Sequence, residues 1–165
     1  MYRVISLCVL IFSGSVFATQ EPIELEVSPS LLLNIVSSGQ TTFILPEFEV
    51  FNSKGNGVFH QLSYNKTFKN TLVNAILNPV ENGKKLQDSL KIISHKNTKT
   101  PYQVHSSKYD YIFVEYWASW CAPCFHQMAK VKEVLAEHSN INILWLKVEK
   151  DLTKIENVKV AKNQT

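Results

Sequence analysis

Glycine, cysteine and methionine are scarce in this chain: its 165 residues hold five, three and two of them. No glycine-rich stretch forms a phosphate-cradling loop, so nucleotide binding through backbone amides has no support. Serine, histidine and aspartate do not fall into an order that suggests a hydrolytic triad. No cluster of carboxylates shows metal-ligand spacing either. Seventeen basic residues against fourteen acidic ones give a formal charge of +3. That charge is not gathered into a basic stripe interleaved with aromatics, and nucleic acid is not suggested as a partner. There is no internal repeat and no long low-complexity tract, and the Lys and Asn usage between Asn52 and Lys99 reads as solvated surface.

Long apolar runs are also missing. The one near the N-terminus, Val4 to Phe12, is too short to span a bilayer as a stable helix. Arg3 precedes it and Ser13-Gly14-Ser15-Val16-Phe17-Ala18 follows, the pattern of a cleavable export signal. Cys8 lies inside the apolar run rather than at its end, which argues against a lipid-anchored N-terminal cysteine. On this reading residues 1–18 are a signal peptide and residues 19–165 are one domain with no membrane span, in the periplasm or otherwise exported. Only Cys121 and Cys124 remain after cleavage. In an oxidising compartment they form an intramolecular disulfide unless something reduces it.

Those two cysteines sit in Trp117-Ala118-Ser119-Trp120-Cys121-Ala122-Pro123-Cys124. Ahead of them, Tyr111 to Trp117 is rich in β-branched and aromatic residues and short enough for a buried strand. Behind them, Met128, Val131 and Leu135 recur at i, i+3, i+7, with Lys130, Lys132, Glu133 and Glu137 on the other face, which predicts a helix. Cys121 then stands at the first turn of that helix, where free N–H groups and the positive dipole end favour a thiolate. This makes Cys121 the expected nucleophile and Cys124, one turn further in, the expected resolving thiol. Pro123 needs no N–H partner in a first turn and stiffens the loop.

The stretch Val114 to Cys124 resembles the active-site strand and turn of the thioredoxin superfamily, and is especially similar to exported thiol-disulfide oxidoreductases. The likeness rests on the two tryptophans, the small residue after the first, the Cys-x-Pro-Cys spacing and the preceding acidic residue, and covers about residues 106–150. It implies an α/β fold, a central mixed sheet flanked by helices. It also implies that Glu115 is buried beneath the cysteines, where desolvation raises its pKa and lets it take the proton of Cys124. Period 2 alone does not fix the face, so a solvated Glu115 stays open. Trp117 is expected in the core, while Trp120 and Pro123 are expected to meet substrate chains. His126 is read as a solvated helix residue, because Cys121, Cys124 and His126 leave a tetrahedral metal site one ligand short. The implied activity is reduction of protein disulfides with electrons from a membrane dithiol protein and no cofactor. The alternative is a non-enzymatic, degenerate module of the same fold that binds a metal or a partner protein.

The C-terminal side departs from that family. Ile141 to Val148 reads as the next strand, and residues 149–165 are all that follow. A thioredoxin-like domain normally continues with a helix, a cis-proline, a hairpin and a last helix, yet no proline follows Pro123. One arrangement takes Leu45 to Ser63 as the opening hairpin of the redoxin-type branch, with an inserted helical segment from Gly83 to about His95 and a shortened end. A second is circularly permuted: Leu31–Val36 as a helix, Pro46 as the cis-proline, residues 47–62 as the hairpin and Thr67–Leu77 as the last helix. A third is a truncated domain. The sequence favours the first, since the second would put Glu47 and Glu49 in a strand covered on both faces, where charge is costly.

Overall fold

The computed structural model describes residues 21–30 and 44–151. The signal-peptide segment and the Leu31–Val36 helix reading lie outside those residues. One mixed sheet contains β1 (Ile23–Val27), β2 (Glu47–Asn52), β3 (Gly57–Leu62), β4 (Ile93–His95), β5 (Tyr111–Trp117) and β6 (Ile143–Glu149), in the spatial order β3-β2-β5-β6-β1-β4. Among the described residues the helices α1 (Phe68–Leu77), α2 (Leu86–Leu90) and α3 (Ala122–Glu137) accompany it. No helix among the described residues is long and apolar enough to cross a membrane.

The two central strands, β5 and β6, run parallel, and β1 continues that direction beyond β6. Their sequences explain the position: six of the seven residues of β5 are hydrophobic, as befits a strand covered on both faces. Phe113 faces a cluster in which α1 contributes Phe68, Leu72 and Ile76 and α3 contributes Met128, Val131 and Val134. Ile112, Val114 and Tyr116 face the opposite cluster, with Leu25, Leu86, Leu90 and Ile93. On the first face Phe48 meets Phe68 and Phe113 edge-on at centroid distances of 5.2 and 5.4 Å, the favoured geometry for aromatic quadrupoles.

The structure decides between the arrangements that the sequence allows, and it overturns the favoured one. The hairpin β2–β3 does not open the fold in the redoxin manner. It lies antiparallel against β5, with Glu47 opposite Tyr116 and Asn52 opposite Tyr111. The Leu45–Pro46 bond that introduces it is cis, and α1 follows it and packs on the α3 side of the sheet. The cis-proline, hairpin and helix that the resemblance puts after the second central strand here precede β5 in the chain. The turn between the hairpin strands uses Gly55 at φ +75, a left-handed conformation that suits glycine, and Asn52 Oδ1 accepts from the N–H groups of Lys54 and Asn56.

The charge objection is answered by the segment after α1. Glu49 is indeed buried, but Lys84 Nζ donates to it at 2.6 Å and Ser89 Oγ at 2.8 Å. A buried carboxylate with a cation and a hydroxyl on separate oxygens is the tolerable case. The same segment corrects a second expectation. The helix from Gly83 to His95 is not formed: α2 stops at Leu90 and the chain enters β4, which pairs with Leu25–Val27. Leu86, Leu90 and Ile93 are all buried as their spacing suggests, though Ile93 reaches the core from a strand. The β-branched pair Ile92-Ile93 suits a ladder better than another helical turn.

Candidate active site

The backbone leaves β5 at Trp117 and turns into α3 within four residues. Cys121 is the residue that caps α3, Pro123 occupies its first turn, and the N–H of Cys124 donates to the Cys121 carbonyl at 3.0 Å. The two cysteines form a disulfide with their Cα atoms 5.4 Å apart. Cys121 keeps 3% of its surface in contact with solvent, whereas Cys124 keeps none. Ala122, Pro123, Trp120 and Phe125 are exposed around the bridge and give it an apolar rim.

Glu115 is fully buried, so the solvated-face alternative is excluded. It shares the face of Phe113, on the side where both cysteines join the core. The Trp145 indole N–H donates to its Oε2 at 3.0 Å, and its Oε1 has no hydrogen-bond partner among the described residues. Burial pushes its carboxyl up to about 8, against the opposing pull of the Trp145 hydrogen bond and of Lys147. Lys147 is its register partner on β6 and is itself paired with Glu24 Oε1 at 2.6 Å.

The two tryptophans beside the cysteines differ in exposure. Trp117 packs at the edge of the α3-side cluster with the ammonium of Lys147 over its ring at 4.9 Å, while Trp120 is 59% exposed. His126 is exposed and stacks on Tyr64 at 6.2 Å, turned to the helix surface. Pro46 is buried one step beyond the Glu47–Tyr116 pair, level with Trp117 and at the end of the sheet where the cysteine loop emerges.

With this geometry in place the comparisons with known proteins can be read. Residues 91–163 match the family model described as Thioredoxin. Over that stretch the chain is thioredoxin-like. No curated protein and no solved structure matches it. The thioredoxin match takes in β4, β5, α3 and β6 but stops short of the hairpin at 47–62, as it must when those strands come first in the chain. Family and cysteine pair together support thioredoxin-like redox chemistry.

Asp151 and Lys147 contact the tryptophans of the cysteine loop, pairings that no local sequence pattern announces. Asp151 stands just past β6, and its carboxylate accepts from Ser119 Oγ at 2.7 Å and from the Trp120 indole N–H at 3.3 Å. The backbone beside it is tied in too, since Lys150 N–H donates to the Trp117 carbonyl at 2.7 Å. Asp151→Ala is therefore expected to loosen the Ser119–Trp120 loop and lower stability by about 1–3 kcal/mol, read from urea unfolding. No loss would mean that the loop is held by its other contacts.

Among the described residues, the grouping with cation-ligand spacing is Glu47, Glu49 and His60, which does not include the cysteines. It lies on the opposite face of the sheet, where Lys84 and Lys150 already pair with its carboxylates.

Proposed function

We propose that this protein is an exported thiol-disulfide oxidoreductase that reduces protein disulfides through Cys121 and Cys124. The observation that carries the proposal is the asymmetry of the pair: Cys121 stands at the N-cap of α3 and Cys124 within its first turn, inside an apolar rim, but only Cys121 keeps any exposed surface. In this reading Cys121 thiolate, favoured by the amide dipoles at the start of α3, attacks a substrate sulfur and one substrate cysteine leaves as thiolate. Cys124 then attacks Cys121, expels the second substrate cysteine and closes the bridge. Glu115 accepts the Cys124 proton, a task for which a carboxyl held up to about 8 is well matched. Trp120 and Pro123 supply the exposed apolar contact for the incoming chain. The oxidised enzyme must be recharged with two electrons, for which a membrane dithiol protein is the fitting donor in the envelope.

The test is equilibration of the protein with mixtures of reduced and oxidised glutathione, together with titration of the Cys121 thiol. A reversible couple with a Cys121 pKa below the ordinary value of about 8.5 supports the proposal, and its potential separates reductant from oxidant. An irreducible, unreactive pair overturns it and leaves a structural bridge.

A further inference from the structure

Gln127 is a large polar side chain with no exposed surface, and neither its amide nitrogen nor its amide oxygen has a hydrogen-bond partner among the described residues. Buried polar groups are almost always satisfied, so a wholly unpartnered amide needs a reason. Its position supplies one. Gln127 lies three residues beyond Cys124 on α3, and Cys124, Gln127, Met128 and Val131 make up one buried face. Residues at i and i+3 are neighbours on a helix, with Cβ atoms about 5–6 Å apart. Helical side chains also lean toward the N-terminus and cover the preceding turn. Gln127 is thus the neighbour of Cys124 on the buried face of α3, one turn further along.

In the oxidised state described here, the Cys124 sulfur belongs to the disulfide. A disulfide sulfur is neutral, carries no proton to donate and accepts weakly. Reduction adds two electrons and two protons, breaks the S–S bond and leaves a thiol on each cysteine. The Cys124 thiol can donate to the Gln127 carbonyl oxygen, and once deprotonated it can accept from the Gln127 amide N–H. An amide serves both states because it offers a donor and an acceptor and does not titrate.

We propose that Gln127 is the hydrogen-bond partner of the Cys124 sulfur in the reduced protein, and that its amide shifts the couple toward the dithiol. This rests on the oxidoreductase reading above. It assigns to Gln127 a role in redox poise distinct from proton transfer by Glu115. Because the unpartnered amide burdens only the oxidised form, the two redox states respond to its removal in opposite directions.

The experiment compares wild type with Q127L and Q127M, the second being unbranched and close to glutamine in length in case leucine packs poorly. Each is equilibrated with glutathione, and the urea stability of its oxidised and reduced forms is measured separately. The expected result is an oxidised form at least as stable as wild type, a destabilised reduced form, and an equilibrium moved about tenfold toward the disulfide. For this two-electron couple tenfold is about 30 mV toward more negative potential. Equal stability changes in both forms, with the potential unmoved, overturn the assignment and leave Gln127 as a core residue satisfied by a buried water. A wild-type pair that does not equilibrate at all sinks the oxidoreductase reading itself, whereas a reversible wild type matched by both variants sinks only the role of Gln127.

Discussion

Cys124→Ser is expected to accumulate protein adducts on Cys121, and Cys121→Ser to accumulate none. Of the two sulfurs only that of Cys121 is reachable, as Cys124 is fully buried under the first turn of α3. The N–H groups of that turn and the helix dipole favour negative charge at Cys121. On the proposed mechanism a mixed disulfide forms there, and Cys124, within the first turn of α3, resolves it. Well-oriented intramolecular groups reach effective concentrations of about 10^5–10^8 M, far above any free thiol. Removing Cys124 should lengthen the life of the adduct and reduce turnover by at least about 10^3-fold on the same grounds. Non-reducing electrophoresis and mass spectrometry of envelope extracts read the adducts directly. Adducts on Cys121→Ser but not on Cys124→Ser would reverse the order of attack.

Glu115→Gln carries the second large effect, on stability and on rate at once. In the unfolded chain this carboxyl ionises near 4.5, and in the folded protein burial holds its proton up to about 8. Between those values the unfolded chain has released a proton that the folded protein keeps, so rising pH favours unfolding. The contribution is complete below about 4.5 and is lost as pH rises through 8, over a range worth on the order of 3–5 kcal/mol. Glutamine cannot ionise, so the variant should show a flatter stability profile and be the more stable protein at pH 9. The rate should move the other way. Resolution by Cys124 in the wild type is expected to rise through pH 8 as the Glu115 carboxylate appears, and the variant should lose that rise and fall by about 10^2-fold or more. Stopped-flow release of a bound substrate thiol across pH 6 to 9 measures it. An unchanged profile would place the proton acceptor elsewhere.

The legible parts of this site are those that local sequence determines. The strand Tyr111–Trp117, the helix behind Cys124 and the placing of both cysteines at their junction follow from periodicity and helix-end chemistry, and the structure has them within a residue or two. The burial of Glu115 was only half legible, because alternation says which residues share a face and not which face is covered. The order of the hairpin was misjudged for a different reason. Glu49 looks prohibitive in an inner strand until Lys84 and Ser89 arrive from a segment more than thirty residues away, a pairing that no local pattern announces. Asp151 and Gln127 are illegible likewise, since an aspartate past a strand and a glutamine on a helix are unremarkable until the fold shows one gripping the cysteine loop and the other buried without a partner among the described residues.

The strand order has a consequence for how the chain is made. The two outer pairs, β2 with β3 and β1 with β4, share no ladder with each other and meet only through β5 and β6, which follow them in order among the described strands. During synthesis both flanks of the sheet leave the ribosome before the pieces that join them, so the long-range pairing that costs most loop entropy is deferred to the end. The redox loop hangs between those two strands. A nascent chain therefore carries no assembled dithiol site until β5 and β6 have closed the gap, and the moment at which the sheet becomes continuous is also the moment at which it becomes chemically competent.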